Sequence, residues 1–373
     1  MIVRIRDVVN RVNNNIDRFN TDIKYYLGKG HGECGELAIT EHGDLKKDVG
    51  LLGFKFHFAF KPGDSLFFSR SFALRKAGMA TYEGLCSDST YILRSKDNNV
   101  LLPEYLPIVI QSESFWDYCN THHTGGVNFL INWNTLADYE FDLPSLEEQR
   151  ILADKLWAAY RLKESYKKLL TATQEMVKSR FVEMFRELPN NGKIEDLVDK
   201  GIASVKKSYK TSDEIEYIDI SSIDNVSNIV VETTKYEVSK APSRAQQCVK
   251  NGDILVSTVR PINRNIAVVT KKLQNLVAST GFCVLRPKDG YREYLLSIVK
   301  SDAYTECMCD KASGGLYPAV NNSDVLSYGI HIPDIQLSQK ISAIYQQADK
   351  SGFELRKSIE AIDQVIKSLI NNQ

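Results

Sequence analysis

Residues 30–35 read GHGECG and fit G-x-G-x-x-G, the pattern whose glycines bring a dinucleotide's pyrophosphate against a helix N-terminus. That chemistry needs a strand before it, a helix directly after it and an acidic residue about twenty positions on. Here ELAITEHGD follows, with strand and turn character, so the stretch reads as a glycine-rich loop. His31, Cys34 and His42 are metal-ligand types close in sequence, as are His122 and His123, and Cys307 and Cys309 form a Cys-x-Cys. None has a second ligand pair at zinc-site spacing. Asp22 with Lys24, and Asp44 with Lys46, give D-x-K fragments of the kind seen in metal-dependent nucleases, but any charged chain carries these by chance. No Walker A sequence and no G-x-S-x-G occurs. The Asn/Asp-Pro-Pro-aromatic motif of amino-methyltransferases is also missing, since no two prolines are adjacent. No catalytic, cofactor or metal constellation emerges.

What remains is cations in loops. SRSFALRK carries Arg70, Arg75 and Lys76, and TVRPINRN carries Arg260 and Arg264. VKKSYK carries Lys206, Lys207 and Lys210 around Tyr209. Most Arg and Lys are plain surface charge. Repetition argues for more, because Arg75 and Arg264 occupy matching places after a Gly-Asp strand. Arg reads a guanine edge bidentately or holds phosphate, and Lys mainly holds phosphate, so these eight residues are candidates for DNA contact. The chain balances 47 basic against 47 acidic residues. A zero sum still leaves room for a local basic face.

The matching is systematic. Shifted by 189, FKPGD ending at Asp64 falls on VKNGD ending at Asp253, and PEYL ending at Leu106 on REYL ending at Leu295. TGG at 124–126 falls on SGG at 313–315, Asn132 on Asn321, and DLP ending at Pro144 on HIP ending at Pro333. After that proline one inserted residue would bring Gln149 onto Gln339. A shared offset is far stronger than any one match, and the period is a domain rather than a solenoid unit.

Each copy orders its parts alike. Segments rich in β-branched and aromatic residues come first, FKFHFAFKPGDSLFFSRSF and STYILR in one, DILVSTV, NIAVVT and GFCVLR in the other. A short helical piece, a Gly-Gly loop, an Asn turn and a Pro-ended strand come next. A long helix closes each copy. The first is expected over Glu147–Arg186, with an apolar stripe of Leu152, Leu156, Ala159, Leu162, Tyr166, Leu170, Thr173, Val177, Phe181 and Met184 and a charged remainder that includes Lys163. The second is expected over Leu337–Leu369, with Ile341, Ile344, Ala348, Leu355, Ile359, Ile362, Ile366 and Leu369, and a weak spot at Gly352. Two equivalent stripes of this length would pair antiparallel if the copies are related by a twofold axis. A composition 43% hydrophobic and 25% charged is that of a globular chain with two or three cores. Seven scattered Cys, no apolar run of membrane length and no signal peptide fit a reducing cytoplasm.

LPSLEEQRILADKLWAAY…LLTATQEMVKSRFVEMF, GDILVSTVRP and the paired Gly-Gly loops resemble the specificity subunit of type I restriction–modification systems, and the resemblance covers essentially the whole chain. YYLGKGH and KPGDSLFFSR…LRKAG are similar to one recurring type of target recognition domain. The second copy departs at its helix start, where IPDIQLSQKI lacks the usual Glu. The resemblance implies an α+β fold, with two β-rich target recognition domains (1–144 and 189–334) and two long antiparallel spacer helices (145–188 and 335–373) in a pseudo-twofold repeat. It implies that each domain reads one half of an asymmetric bipartite target in double-stranded DNA. The helices would set the spacing and dock two methyltransferase subunits, which motor–endonuclease subunits would join. S-adenosylmethionine, ATP and Mg would sit in those partners, with no cofactor in this chain, no catalysis by it and no membrane. The rival readings are a stand-alone nuclease or methyltransferase with duplicated recognition domains, and a tandem scaffold that binds only protein.

Overall fold

The structure, a computed structural model, describes residues 1–70, 72–126, 129–185, 188–225, 228–270 and 274–371. It divides into two compact units, Met1–Lys168 with Leu355–Gln373, and Leu169–Glu354. Both dividing points fall inside long helices, so each unit takes part of each helix.

In the first unit the described residues form a five-stranded sheet in the order Val9–Val12, Thr90–Ser95, Ser65–Phe68, Ala77–Ala80, Ala38–Ile39. Its last pair is parallel and the others antiparallel. A four-stranded sheet runs Gly43–Asp44, Tyr25–Leu27, Gly84–Ser87, Phe56–Phe60, with a parallel central pair. Strand alternation sorts the apolar residues. Leu66, Phe68 and Ile92 join Leu27 and Phe60 in one core, while Phe67, Tyr91 and Leu93 face Phe115 and Trp116 of the helix Glu113–His122 in another.

The second unit repeats this. Its central strands Ile266–Val268, Ile254–Ser257 and Phe282–Leu285 are antiparallel, and its four-stranded sheet runs Thr234–Glu237, Glu214–Ile218, Leu276–Ser279, Ala245–Cys248 with the same parallel centre. Leu255 faces one core and Ile254 and Val256 the other, matching Leu66 against Phe67 at the offset of 189. The helices Glu113–His122 and Trp133–Ala137 recur as Asp302–Lys311 and Asn322–Leu326.

The long helices run Leu146–Phe185 and Ile335–Asn371, and Arg186 lies outside the described residues. In the first unit Ala153, Leu156 and Tyr160 of the first helix pack in one core with Ile366 and Ile370 of the second. In the second unit Phe181, late in the first helix, packs with Ile341, early in the second. Within each unit the two helices therefore lie side by side and antiparallel.

Two sequence expectations are corrected here. The helix starts keep the offset of 189, so no residue is inserted. Gln149 matches Ser338, both fully buried, whereas Gln339 is exposed. Gln149 donates to Val100 O and Pro144 O and accepts from Leu102 N; the shorter Ser338 donates only to Gly290 O. The missing Glu is replaced at the cap. Ser145 and Glu148 form a reciprocal cap in the first helix, while Asp334 alone accepts from Leu337 N in the second. The other correction concerns the stripe: Leu162 is 45% exposed, while the neighbouring Lys163 is 6% exposed. Lys163 can be buried because its ammonium donates to Glu36 at 2.9 Å and pairs with Asp363 at 2.9 Å.

Candidate nucleic-acid interface

The residues that repeat at 189 are mostly scaffold. Asp64 and Asp253, each 1% exposed, close a turn whose preceding Gly63 and Gly252 have φ of +90° and +93°. Asp64 accepts from Lys61 N and from both Arg94 Nε and Nη2, at 2.6 and 2.8 Å. Asp253 does the same with Lys250 N and Arg286, at 2.9 and 2.8 Å. Tyr105 and Tyr294, from PEYL and REYL, are fully buried. Asn132 accepts from Thr135 N at the start of its helix, and at the matching start Asp324 accepts from Asn321 N.

Arg75 and Arg264 follow the same rule. Each ends a short 3-10 turn, Phe72–Leu74 or Pro261–Asn263, in the left-handed region with φ of +47° and +51°. Each reaches the first residue of the equivalent helix in its unit, Glu113–His122 or Asp302–Lys311: Arg75 pairs with Glu113 and Arg264 with Asp302, both at 2.7 Å. The Arg75 guanidinium holds the Glu113 carboxyl below its ordinary value. Lys178 of the first long helix, then Arg264, do so for Asp302. The guanidinium side chains remain 36% and 41% exposed.

The other candidates stand where the repeats differ. Arg70 is exposed, and its backbone bridges to Leu130; the matching Val259 bridges to Ala319. Lys76, half-buried, donates to Lys29 O at 3.2 Å. Lys206 and Lys207 are exposed on the single-turn helix Val205–Ser208, with exposed Lys210 just beyond. That turn is anchored to the four-stranded sheet through Val205, which packs with Ala245. Arg260, also left-handed at φ +49°, donates through Nη2 to Leu316 O at 3.1 Å and lies 4.6 Å from the Tyr317 ring centre. Thus Arg70, Arg75 and Lys76 gather on one hairpin end of the first unit and Arg260 and Arg264 on its counterpart in the second. Lys206, Lys207 and Lys210 form a separate group on the other sheet.

The motifs set aside have structural roles. GHGECG lies in a loop, and its His31 accepts at Nδ1 from Gly28 N, two residues before the motif. Asp44 caps the turn Leu45–Asp48 by accepting from Lys46 N and Lys47 N. Among the described residues no three His, Cys, Asp or Glu side chains are grouped to hold a metal. No described helix is long and apolar enough to cross a membrane. Sequence reading missed the acids Glu113 and Asp302, although their common offset from Arg75 and Arg264 carried the signal.

A β-rich unit of two sheets, repeated in one chain, with each repeat closed by a long helix that packs on its counterpart, defines a class of duplicated-domain protein. Residues 190–364 match the family model for the type I restriction modification DNA specificity domain. A stretch of 140 residues is 31% identical to the specificity subunit of the type I restriction enzyme HindI from Haemophilus influenzae; it covers 36% of this chain and 30% of that relative's length. In fold the chain is similar to the S subunit of a type I restriction–modification system from M. genitalium, with a TM-score of 0.58 and 12% identity over 99% of this chain and 94% of that one. It is also similar to a chain of another type I R-M system, with a TM-score of 0.54 and 15% identity over 99% and 96%. Residues 190–364, the second repeat with most of its helix, thus match the DNA specificity domain family, and over the whole chain the fold is similar to that of a type I S subunit.

Proposed function

We propose that this chain reads an asymmetric, bipartite target in double-stranded DNA for a type I restriction–modification complex. The observation that carries the reading is one scaffold used twice: aspartate, tyrosine, asparagine and arginine framework residues recur at 189, while most surface cations beside them do not. Two unlike surfaces on one frame suit two unlike half-sites. Arg70, Arg75 and Lys76 serve one half. Lys206, Lys207, Lys210, Arg260 and Arg264 serve the other. In Arg75 and Arg264 part of the guanidinium is committed to a carboxylate, which suits them to phosphate more than to a bidentate base contact. Residues 1–144 and 189–334 act as the recognition domains, and 145–188 and 335–373 as spacer helices.

The partners are two methyltransferase subunits, joined by motor–endonuclease subunits, in the cytoplasm. Methyl transfer and cleavage, with S-adenosylmethionine, ATP and Mg, belong to those partners. The helices offer docking area: Leu169 and Met176 on the first are 52% exposed, as is Val365 on the second. The test is an exchange of residues 1–144 for the equivalent region of a relative, with adenine-methylation mapping in cells that carry the partner genes. One half of the target should change and the other stay. Change in both halves, or in neither, overturns the reading.

A further inference from the structure

The Gly-Gly loop of the second unit carries large apolar side chains on an unusually constrained backbone. Ser313 and Ala319 exchange both backbone hydrogen bonds, at 3.0 and 2.9 Å, and Gly314 between them has φ +105°. A Cβ at Gly314 would meet Tyr317 O at 3.2 Å. Two more bonds sew the loop to the strand end, Arg260 N to Pro318 O at 2.7 Å and Val320 N to Thr258 O at 2.9 Å. Left-handed Arg260 and Arg264 bracket the adjoining turn Pro261–Asn263. Non-glycine residues in this region cost about 1–3 kcal/mol each, and such strain gathers where a function needs a fixed shape.

What this backbone presents is Leu316, Tyr317 and Ile262, which are 81%, 65% and 67% exposed. A single exposed leucine needs no explanation. Three large apolar groups around a rigid loop and its neighbouring turn do. The loop's charge points to the partner. Arg260 bonds the Leu316 carbonyl and stacks on Tyr317, and among the described residues no carboxylate pairs with it. An aromatic ring backed by an unneutralised guanidinium is complementary to stacked bases within a polyanion. The first unit has the same frame: Thr124 and Leu130 exchange both backbone bonds, Arg75 is left-handed, and Leu74 and Phe129 are 48% and 42% exposed. Val127 and Asn128, at the matching tip, lie outside the described residues.

We propose that Leu316 and Tyr317, backed by Arg260, form a wedge that enters a base step of the half-site bound by the second unit and unstacks it. This rests on the DNA-reading proposal above. The test uses the chain in complex with its methyltransferase subunits, without S-adenosylmethionine. Target duplexes carry 2-aminopurine at each position in turn, other than the methylated adenine. The wild-type complex should raise fluorescence at one step beside the second half-site. Leu316→Ala with Tyr317→Ala should abolish that rise and weaken target binding roughly tenfold to a hundredfold, the scale of one lost base stack. The side chains are exposed, so folding should hold, as circular dichroism would show. Wild-type fluorescence or affinity in the variant overturns the wedge. So does loss of the methyltransferase subunits from the variant on gel filtration, which would assign the patch to a protein contact. A wild-type complex that binds no DNA sinks the DNA-reading proposal, and the wedge with it.

Discussion

Arg75 and Arg264 show how one residue can carry two signals. Their alignment was the reason to suspect DNA contact, yet each also caps a 3-10 turn and pairs with the helix-initiating acid at the same offset. Glycine separates the two roles. Arg75→Gly or Arg264→Gly removes an exposed ion pair worth about 0–1 kcal/mol and relieves a left-handed backbone worth about 1–3 kcal/mol, against roughly 0.5–1 kcal/mol of added chain entropy. Stability by urea unfolding should therefore fall no more than about 1 kcal/mol below wild type and rise at most about 2.5 kcal/mol above it. If the arginines hold phosphate as proposed, affinity should fall evenly across sequences, and the salt dependence of binding should shrink by about one unit of slope. Unchanged DNA binding with unchanged stability would return both residues to the scaffold alone. The framework Asp64, Asp253, Tyr105 and Tyr294 were legible as repeats, but their partners Arg94 and Arg286 sit at a different offset, 192, and were not. A loop length change between the copies moved the partner out of register without altering the contact.

At the scale of elements, periodicity located both long helices to within a few residues and most of their buried stripe. It failed at Leu162 and Lys163, because a pattern of residue types carries no information about distant carboxylates. Lys163 takes the buried place only because Glu36, from a loop well over a hundred residues earlier, and Asp363, from the second long helix, meet it in the first unit. Glu36 is itself 13% exposed in its side chain, and Lys167 donates to it at 3.0 Å. Burial pushes the Glu36 carboxyl up, and the Lys163 and Lys167 ammonium groups outweigh that, leaving it below the ordinary 4.5. The folded value is thus lower than the unfolded one. The stabilisation is present above about pH 4.5 and is lost as pH falls through the folded value. Glu36→Gln should destabilise the protein by about 1–3 kcal/mol at pH 7. It should also flatten the acid limb of stability below pH 4.5, where the carboxylate no longer contributes. An acid limb as steep in the variant as in wild type, measured by urea midpoints from pH 3 to pH 7, would show that other carboxylates govern acid unfolding.

At the scale of the molecule, the division of both helices between two units gives the proposed spacer a specific test. Pairing within each unit depends on register: Leu156 with Ile366 in one core, Phe181 with Ile341 in the other. A four-residue insertion in the first helix alone moves the remainder of that helix by about 6 Å and 40° relative to an unchanged second helix. That would misalign one of the two cores, and the chain should lose stability before spacing can be read. Matched insertions avoid this. Four residues after Lys168 and four before Leu355, where the units divide, lengthen both helices by about 6 Å and leave each unit's own pairing intact. At ~3.4 Å per base pair, the preferred gap between half-sites should grow by one or two base pairs, with each half-site sequence unchanged. The accompanying ~40° rotation is close to what about one base pair of helical twist supplies, at roughly 10–10.5 base pairs per turn, so distance and facing change together in a direction a longer gap can meet. The readout is adenine-methylation mapping with the partner subunits, after circular dichroism has shown that the double-insertion chain folds. Methylation of the original target at its original gap by that folded chain would show that something other than helix length sets the spacing.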